Sequence, residues 1–196
     1  MKKLYLISII VITFAIAPFC QQSNAKNYQL NSENAKSIYS YAAKDIDGNV
    51  VNFSTFKGKV LIIVNTASKC GLVEQLGELE QLHQKYKDKG VVVLGFPSND
   101  FLSQEPLAND EIKAFCSKNY GVTFLMFEKI AVKGDNIAPI YSFLTDKSKN
   151  GVVDAPIKWN YQKFIIDKNG FVNCVISPRT SVNDEEFIQA LGDVLK

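Results

Sequence analysis

The order of apolar and polar residues predicts alternating strands and helices after an apolar N-terminal segment. Residues 60–65 and residues 91–96 are apolar runs of strand length, typical of strands that are covered on both faces of a sheet. Between them, apolar residues recur every three or four positions over residues 72–89, and the pattern ends at Gly90. This spacing predicts one face of an amphipathic helix.

The remaining patterns predict further elements of the same two kinds. Asp47-Gly48 and Asn169-Gly170 are two-residue turn signals between short extended runs, so we expect hairpins at residues 37–53 and 163–176. The other expected elements are a helix at 109–118 capped by Asn109, a strand at 124–132, a helix at 138–145 and a final helix capped by Asn183. Together they predict an α/β protein, a mixed central sheet with helices on both faces, for which a thioredoxin-like fold is the candidate.

The first 25 residues have the features of a secretory signal peptide. Two lysines precede an uncharged apolar stretch, and the small residues of Ser23-Asn24-Ala25 offer a cleavage site. We expect residues 1–25 to be removed on export to a periplasm, residues 26–36 to be an extension, and residues 37–196 to form one domain. An uncleaved membrane anchor is an alternative, because the apolar run is only slightly short of the ~20 residues of a spanning helix. A lipoprotein anchored at Cys20 is another, although the preceding Phe19 is bulky.

Charge and cysteine content narrow the functions to consider. Without the two lysines of the leader, the 22 basic and 20 acidic residues balance, so nothing indicates a nucleic-acid partner or a stable membrane association after cleavage. Loss of Cys20 leaves Cys70, Cys116 and Cys174, an odd number. In an oxidising compartment, an odd count indicates at least one thiol with chemistry to perform.

Cys70 is the candidate reactive thiol. It follows the first buried strand and precedes the first long helix, where unpaired backbone amides and the neighbouring Lys69 would favour the thiolate. Because the thiolate is the nucleophilic form, this position suits a peroxidatic cysteine. On position alone, a buried and inert cysteine is an equal alternative.

Four segments of the chain resemble glutathione peroxidases: residues 65–71, 95–106, 115–124 and 158–164. The family pattern of Cys, then Phe-Pro-x-Asn-x-Phe-x-x-Gln-Glu-Pro, then Trp-Asn is met by Cys70, residues 96–106 and Trp159-Asn160. The resemblance extends from residue 38 to the C-terminus and implies peroxidase activity with an active-site tetrad of Cys70, Gln104, Trp159 and Asn160. The last three would supply neutral N–H donors that hold the thiolate and stabilise the departing oxygen. No metal-binding motif is present, and no cofactor is expected.

The chain departs from the family pattern beside the expected site. Leu72-Val73-Glu74 stands where an aromatic residue and Thr are usual, and Leu102-Ser103 replaces a glycine pair before Gln104. Leu125 stands where proline is general. These departures leave the preferred hydroperoxide open.

The resemblance also implies a role for Cys116. Residues 115–124 resemble the resolving-cysteine segment of the two-cysteine branch, in which Cys116 would form a disulfide with oxidised Cys70. A disulfide needs α-carbons within about 7 Å, so part of helix 109–118 would have to unwind if the two cysteines start further apart. Cys174, in a predicted strand without such a match, is expected to be a packing residue.

A thioredoxin-like protein is the expected electron donor. The only arginine, Arg179, lies far from the motif segments, so no cationic cluster for the carboxylates of glutathione is evident. A thioredoxin-like reductant, which works by disulfide exchange, therefore fits better than glutathione.

Two other functions remain open from the residues. A thioredoxin-like disulfide oxidoreductase would need a second cysteine where Cys70-Gly71-Leu72-Val73 has valine. A redox sensor would pass oxidation from Cys70 to a partner protein as a stable mixed disulfide instead of turning over. His83, the only histidine, has no metal-ligand spacing around it and is expected at the surface.

Overall fold

The computed structural model describes residues 34–196 and the backbone of the two-residue strand β1 (Lys26–Asn27). The predicted signal peptide, including Cys20, lies outside the described residues, and so does most of the predicted extension. The boundaries at residues 25 and 36 therefore stay predictions. Within the described residues, no helix has the length and apolar character needed to cross a membrane.

A mixed sheet forms the centre of the described chain. Its strands lie in the order β1, β8 (Val172–Ile176), β7 (Lys163–Ile166), β4 (Val60–Thr66), β5 (Val91–Pro97) and β6 (Leu125–Met126). The pairs β4–β5 and β5–β6 are parallel, whereas β7 pairs antiparallel with both β4 and β8. A separate antiparallel hairpin joins β2 (Ala42–Lys44) to β3 (Val50–Asn52). The two predicted hairpins are therefore confirmed.

Helices cover both faces of the sheet. The helices are α1 (Gln75–Tyr86), α2 (Asn109–Tyr120), α3 (Pro139–Thr145), α4 (Lys147–Asn150) and α5 (Glu185–Leu195). Alternate residues of β4 enter two cores: Ile62 packs with α1, α2 and α5, and Ile63 packs with α3. Because β4 is paired on both edges and covered on both faces, every residue in it is buried. The predicted α/β fold with helices on both faces of a mixed sheet is confirmed.

Several predicted element boundaries are wrong, and the physical reason is competition for backbone partners. The strand expected at residues 124–132 stops at Met126: the Phe127 N–H still donates to Gly95 O of β5 (2.8 Å), but the Glu128 N–H donates to Lys44 O of β2 (3.0 Å). Helix α1 begins at Gln75, after a turn at residues 71–74. Helix α4 was not predicted.

Both predicted helix caps are also wrong. The side chain of Asn109 accepts a hydrogen bond from the Lys129 N–H (2.9 Å), and Ala108 occupies the capping position of α2. Helix α5 follows Asp184, and Asn183 precedes that residue. In both places the helix was predicted correctly, but the residue at the capping position is a different one and its side chain makes no capping hydrogen bond.

His83 is not the surface residue that we expected. It is half-buried on α1, and its ring meets the edge of Phe124 at a centroid distance of 6.3 Å. Burial lowers the pKa of His83, an effect that the nearby carboxylate of Glu80 opposes. His83 is thus part of the packing between α1 and the chain before β6.

Candidate active site

Cys70 lies in a loop at the carboxyl end of β4. The thiol is only 4% exposed, and the Leu72 N–H donates to its Sγ at 3.5 Å. The turn at residues 71–74 separates Cys70 from the first residue of α1, so the backbone amide at the sulfur belongs to this turn and not to α1. The side chain of Lys69 is exposed to solvent.

The segment that contains Gln104 fastens the Cys70 loop. The Lys69 N–H donates to the Gln104 carbonyl oxygen (2.9 Å), and the N–H and hydroxyl of Ser68 both donate to the carboxylate of Glu105 (2.8 Å each). Glu105 is 1% exposed, and this burial raises its pKa against the opposing effect of the Ser68 hydrogen bonds. Sequence reasoning missed Glu105, although it follows Gln104 directly within a matched motif.

Asn160 orients the side-chain amide of Gln104. Asn160 is fully buried, and its Nδ2 donates to Gln104 Oε1 at 3.0 Å. Since Oε1 is occupied as an acceptor, the Nε2 of Gln104 keeps both of its N–H groups for other acceptors. The Oδ1 of Asn160 accepts no hydrogen bond from the described residues.

The residues after Trp159 are joined to the end of β4. Asn65 Nδ2 donates to the Trp159 carbonyl oxygen (3.1 Å), and the Tyr161 N–H donates to Asn65 O (2.7 Å). The Tyr161 hydroxyl donates to Ala67 O (3.0 Å). These contacts fix the Trp-Asn pair beside the Cys70 loop.

A cavity of about 630 Å³ opens at this point, which we call the Cys70 cavity. It is lined by Cys70, Gly71, Leu72, Gln104, Lys158, Trp159, Ser177, Pro178 and Arg179. The indole of Trp159 is half-buried and packs against Phe101 at a centroid distance of 5.3 Å. Three of the four predicted tetrad residues thus line one cavity, and Asn160 lies behind Gln104.

The expectation that Arg179 lies far from the site is wrong. Arg179 and Lys158 both line the Cys70 cavity. The reason is the β7–β8 hairpin: Lys158 precedes β7 and Arg179 follows β8, so antiparallel pairing returns the chain to the same end of the sheet. The predicted hairpin at residues 163–176 was therefore sufficient to predict that Lys158 and Arg179 lie near each other.

Leu102 and Ser103 adopt backbone conformations that suit the glycine pair expected before Gln104. Their φ angles are 51° and 52°, in the left-handed region that glycine adopts without steric cost. The side chain of Leu102 is 78% exposed, so it gains little burial in return. The chain therefore holds two residues in a strained conformation directly before a cavity-lining side chain.

Cys116 occupies a different environment from Cys70. It lies on α2, is 4% exposed, and lines a separate cavity of about 260 Å³ with Asp45, Lys113 and Phe124 among its neighbours. Burial raises the pKa of Cys116 to about 12, and the carboxylate of Glu105 adds to that effect. Cys70 and Cys116 are both free thiols.

Tyr161 connects the surroundings of the two thiols. Burial raises its pKa well above the usual value, and the negative forms of Cys116, Cys70 and Glu105 act in the same direction. Both cysteines also belong to the same core cluster. Cys174, on β8, is fully buried in that cluster and does not line the Cys70 cavity. Across residues 34–196, no group of three histidine, cysteine or acidic residues could hold a metal ion.

The described residues have a thioredoxin-like fold, and a cysteine lines the cavity at the carboxyl end of β4. A thiol:disulfide interchange protein of the thioredoxin family from Chlorobium tepidum TLS has the same fold, with a TM-score of 0.58, 17% identity, and coverage of 83% of this chain and 97% of that one. This likeness concerns the fold alone.

The family model for glutathione peroxidase matches residues 38–145 of this chain. A glutathione peroxidase-like peroxiredoxin of Schizosaccharomyces pombe is 48% identical over 155 residues, covering 77% of this chain and 98% of the relative. The crystal structure of Trgpx in apo form is similar with a TM-score of 0.62 and 35% identity, over 81% of this chain and 97% of that one. The chain therefore belongs to the glutathione peroxidase family and is a peroxidase. The family implies a hydroperoxide substrate and a thiol reductant.

Proposed function

We propose that Cys70 is the nucleophile of this peroxidase and that Gln104, Trp159 and Asn160 assist it. The observation that carries the proposal is the Cys70 cavity, which the thiol shares with Gln104 and Trp159. The Cys70 thiolate attacks the terminal oxygen of the hydroperoxide, an S–O bond forms and the O–O bond breaks. The departing alkoxide or hydroxide takes a proton, and Cys70 is left as a sulfenic acid.

Gln104 and Trp159 would stabilise the negative charge on the departing oxygen. The Nε2 of Gln104 has two N–H groups for this purpose, and the hydrogen bond from Asn160 to Oε1 orients them. Preorganised neutral donors need no reorganisation during the reaction, which is why they stabilise a developing charge effectively. Asn160 contributes by orienting Gln104.

We further propose that Cys116 resolves the sulfenic acid. Its thiolate attacks the Cys70 sulfur, a disulfide forms, and the expelled hydroxide takes a proton to become water. Both thiols lie near Tyr161, which supports the pairing. Cys116 lines a cavity separate from the Cys70 cavity in the reduced protein, so we expect the α2 segment around it to open before the sulfurs meet.

A thioredoxin-like dithiol is the proposed reductant, because it reduces disulfides by exchange and would restore both thiols. Glutathione is the second candidate, since Lys158 and Arg179 place two cations at the Cys70 cavity, where its carboxylates could bind. The Cys70–Cys116 disulfide favours the first donor and the cationic pair favours the second.

Peroxide consumption with thioredoxin, compared with glutathione, tests the proposal. Cys70→Ser should abolish consumption with either donor, because a hydroxyl is a far weaker nucleophile than a thiolate at neutral pH. Cys116→Ser should leave the first oxidation fast but stop turnover with thioredoxin, and Cys174→Ser is the matched control that should do neither. Full thioredoxin-driven turnover in Cys116→Ser would remove Cys116 from its role.

Export remains a proposal of its own. The leader pattern of residues 1–25 supports cleavage after Ala25 and release into a periplasm. N-terminal sequencing of the protein from its native cell would give Lys26 as the first residue. A lipid-modified Cys20 would instead show that the protein is membrane-anchored.

A further inference from the structure

Lys163 is a fully buried lysine that the proposed chemistry does not use. It is the first residue of β7, with no exposed surface, and its ammonium group donates to Gln75 Oε1, to Thr180 O (2.6 Å) and to Pro178 O (3.3 Å). An ammonium group has three N–H donors and no acceptor. Each donor of Lys163 therefore has one oxygen to bind.

Of the three residues that supply these oxygens, only Pro178 lines the Cys70 cavity, and the other two follow segments that line it. Gln75 is the first residue of α1 and follows the turn that contributes Gly71 and Leu72 to one wall. Pro178 lies within the segment at residues 177–179 that forms the other wall, and Thr180 follows it directly. Gln75 also joins the two segments directly, since its Nε2 donates to Pro178 O at 2.9 Å.

We propose that Lys163 is a positioning residue that holds the two walls of the Cys70 cavity at a fixed separation and so determines which hydroperoxides reach Cys70. The effect on substrate choice rests on the proposed function, whereas the effect on the separation of the walls does not. Lys163 does not line the cavity. It acts through Gln75 and through residues 177–180.

The charge state of Lys163 controls this connection. Burial lowers its pKa to about 7, and the carboxylates of Glu78 on α1 and Asp184 before α5 oppose that shift. Its partners in the sheet, Val64 on β4 and Ile176 on β8, are apolar.

A neutral amine has only two N–H groups for three oxygens, and its lone pair would face the third. The connection between the walls is therefore complete below about pH 7 and incomplete above it, where the lysine is neutral. Glu78 and Asp184 are themselves tied to one residue of the neighbouring loop, because Ser181 donates to Glu78 Oε2 (2.7 Å) and to Asp184 Oδ2 (2.8 Å).

Trp159 provides a readout that needs no peroxidase activity. It is the only tryptophan and lines the same cavity as Pro178 and Arg179. In a Cys70→Ser background, which removes the thiol from the cavity, we expect its fluorescence to change with a midpoint near pH 7. Adding Lys163→Met should abolish that transition. His83→Gln is the control and should leave it in place; it removes the only histidine, a residue type that can change charge in this pH range, although burial lowers the pKa of His83.

The same transition in Lys163→Met, or its loss in His83→Gln, would overturn the proposal. If Lys163→Met fails to fold, Gln75→Leu is tested instead. This variant keeps Lys163 but removes one of its three acceptors and the hydrogen bond from Gln75 to Pro178. Gln75→Leu should shift the midpoint of the Trp159 transition. An unchanged midpoint would also count against the proposal.

Stopped-flow oxidation tests the effect on substrate choice. In Lys163→Met, the rate constant with hydrogen peroxide should stay within about twofold, whereas that with cumene hydroperoxide should fall about tenfold, less than the ~10²-fold cost of a 1 Å misplacement. Equal losses with both peroxides, or no loss with either, would contradict the positioning role. If the wild type reduces no peroxide, the proposed function fails, but the Trp159 titration still decides whether Lys163 joins the walls.

Discussion

The low acidity of Cys116 has a direct and measurable consequence. Burial, with a smaller contribution from Glu105, raises its pKa from 9.0 to about 12. Each pKa unit is a tenfold change in thiolate fraction near neutral pH, so three units correspond to about 10³-fold, or about 4 kcal/mol. Only the thiolate is nucleophilic. In the folded, reduced protein, Cys116 should therefore react about 10³-fold more slowly than in the unfolded chain.

Alkylation with iodoacetamide measures this factor. In a Cys70→Ser variant, which cannot form the Cys70–Cys116 disulfide, the modification of the Cys116 peptide is followed by mass spectrometry in buffer and in urea. Glu105→Gln should speed the reaction in buffer, because it removes the second cause of the raised pKa. Ser68→Ala is the matched control: it removes a hydrogen bond of the carboxylate but keeps its charge.

Similar alkylation rates in buffer and in urea would refute the reasoning. They would show that α2 opens so readily in the reduced state that Cys116 is exposed to solvent most of the time. A slow rate in buffer would mean that resolution depends on opening of α2 after Cys70 is oxidised. Sulfenic acid on Cys70 would then persist long enough to be trapped by a dimedone probe.

Three further outcomes are expected. Gln104→Ala and Trp159→Ala should each slow the oxidation step by roughly 10²-fold in stopped flow, the scale for losing one preorganised donor; unchanged rates in both would leave them as scaffold residues. Leu102→Gly should raise the free energy of unfolding by about 0.5–1 kcal/mol in urea titrations, because relief of ~1–2 kcal/mol of left-handed strain outweighs the entropy of glycine, whereas Leu102→Ala should give no such gain. Glu105→Gln should cost about 1–3 kcal/mol, since an amide nitrogen cannot accept a hydrogen bond from Ser68; a neutral result would mean that the loop is held elsewhere.

The sequence alone determined those strands and hairpins whose residues are compatible with only one kind of structure. The runs that became β4 and β5 have almost no polar position to turn toward water, so they had to be strands covered on both faces. Asp47-Gly48 and Asn169-Gly170 fixed the hairpins because few other residues tolerate those turns. The motif around Gln104 and Trp159 identified the expected site for a related reason, since several uncommon residues recur in one order and spacing.

Tertiary structure decided which groups become partners across long separations. Asn109 could have capped α2, but the Lys129 amide occupies its side chain. Arg179 joins the Cys70 cavity because the β7–β8 hairpin returns the chain to that end of the sheet.

Lys163 is the clearest case of such a decision. In the sequence it is one polar residue at the start of a strand, a position compatible with a solvent-facing side chain. Its burial depends on three oxygens from Gln75, Pro178 and Thr180, which meet only when α1 and the chain after β8 pack together. A local sequence pattern cannot specify these contacts, because a buried charge is tolerated only when its hydrogen-bond partners, which come from distant segments, are all in place.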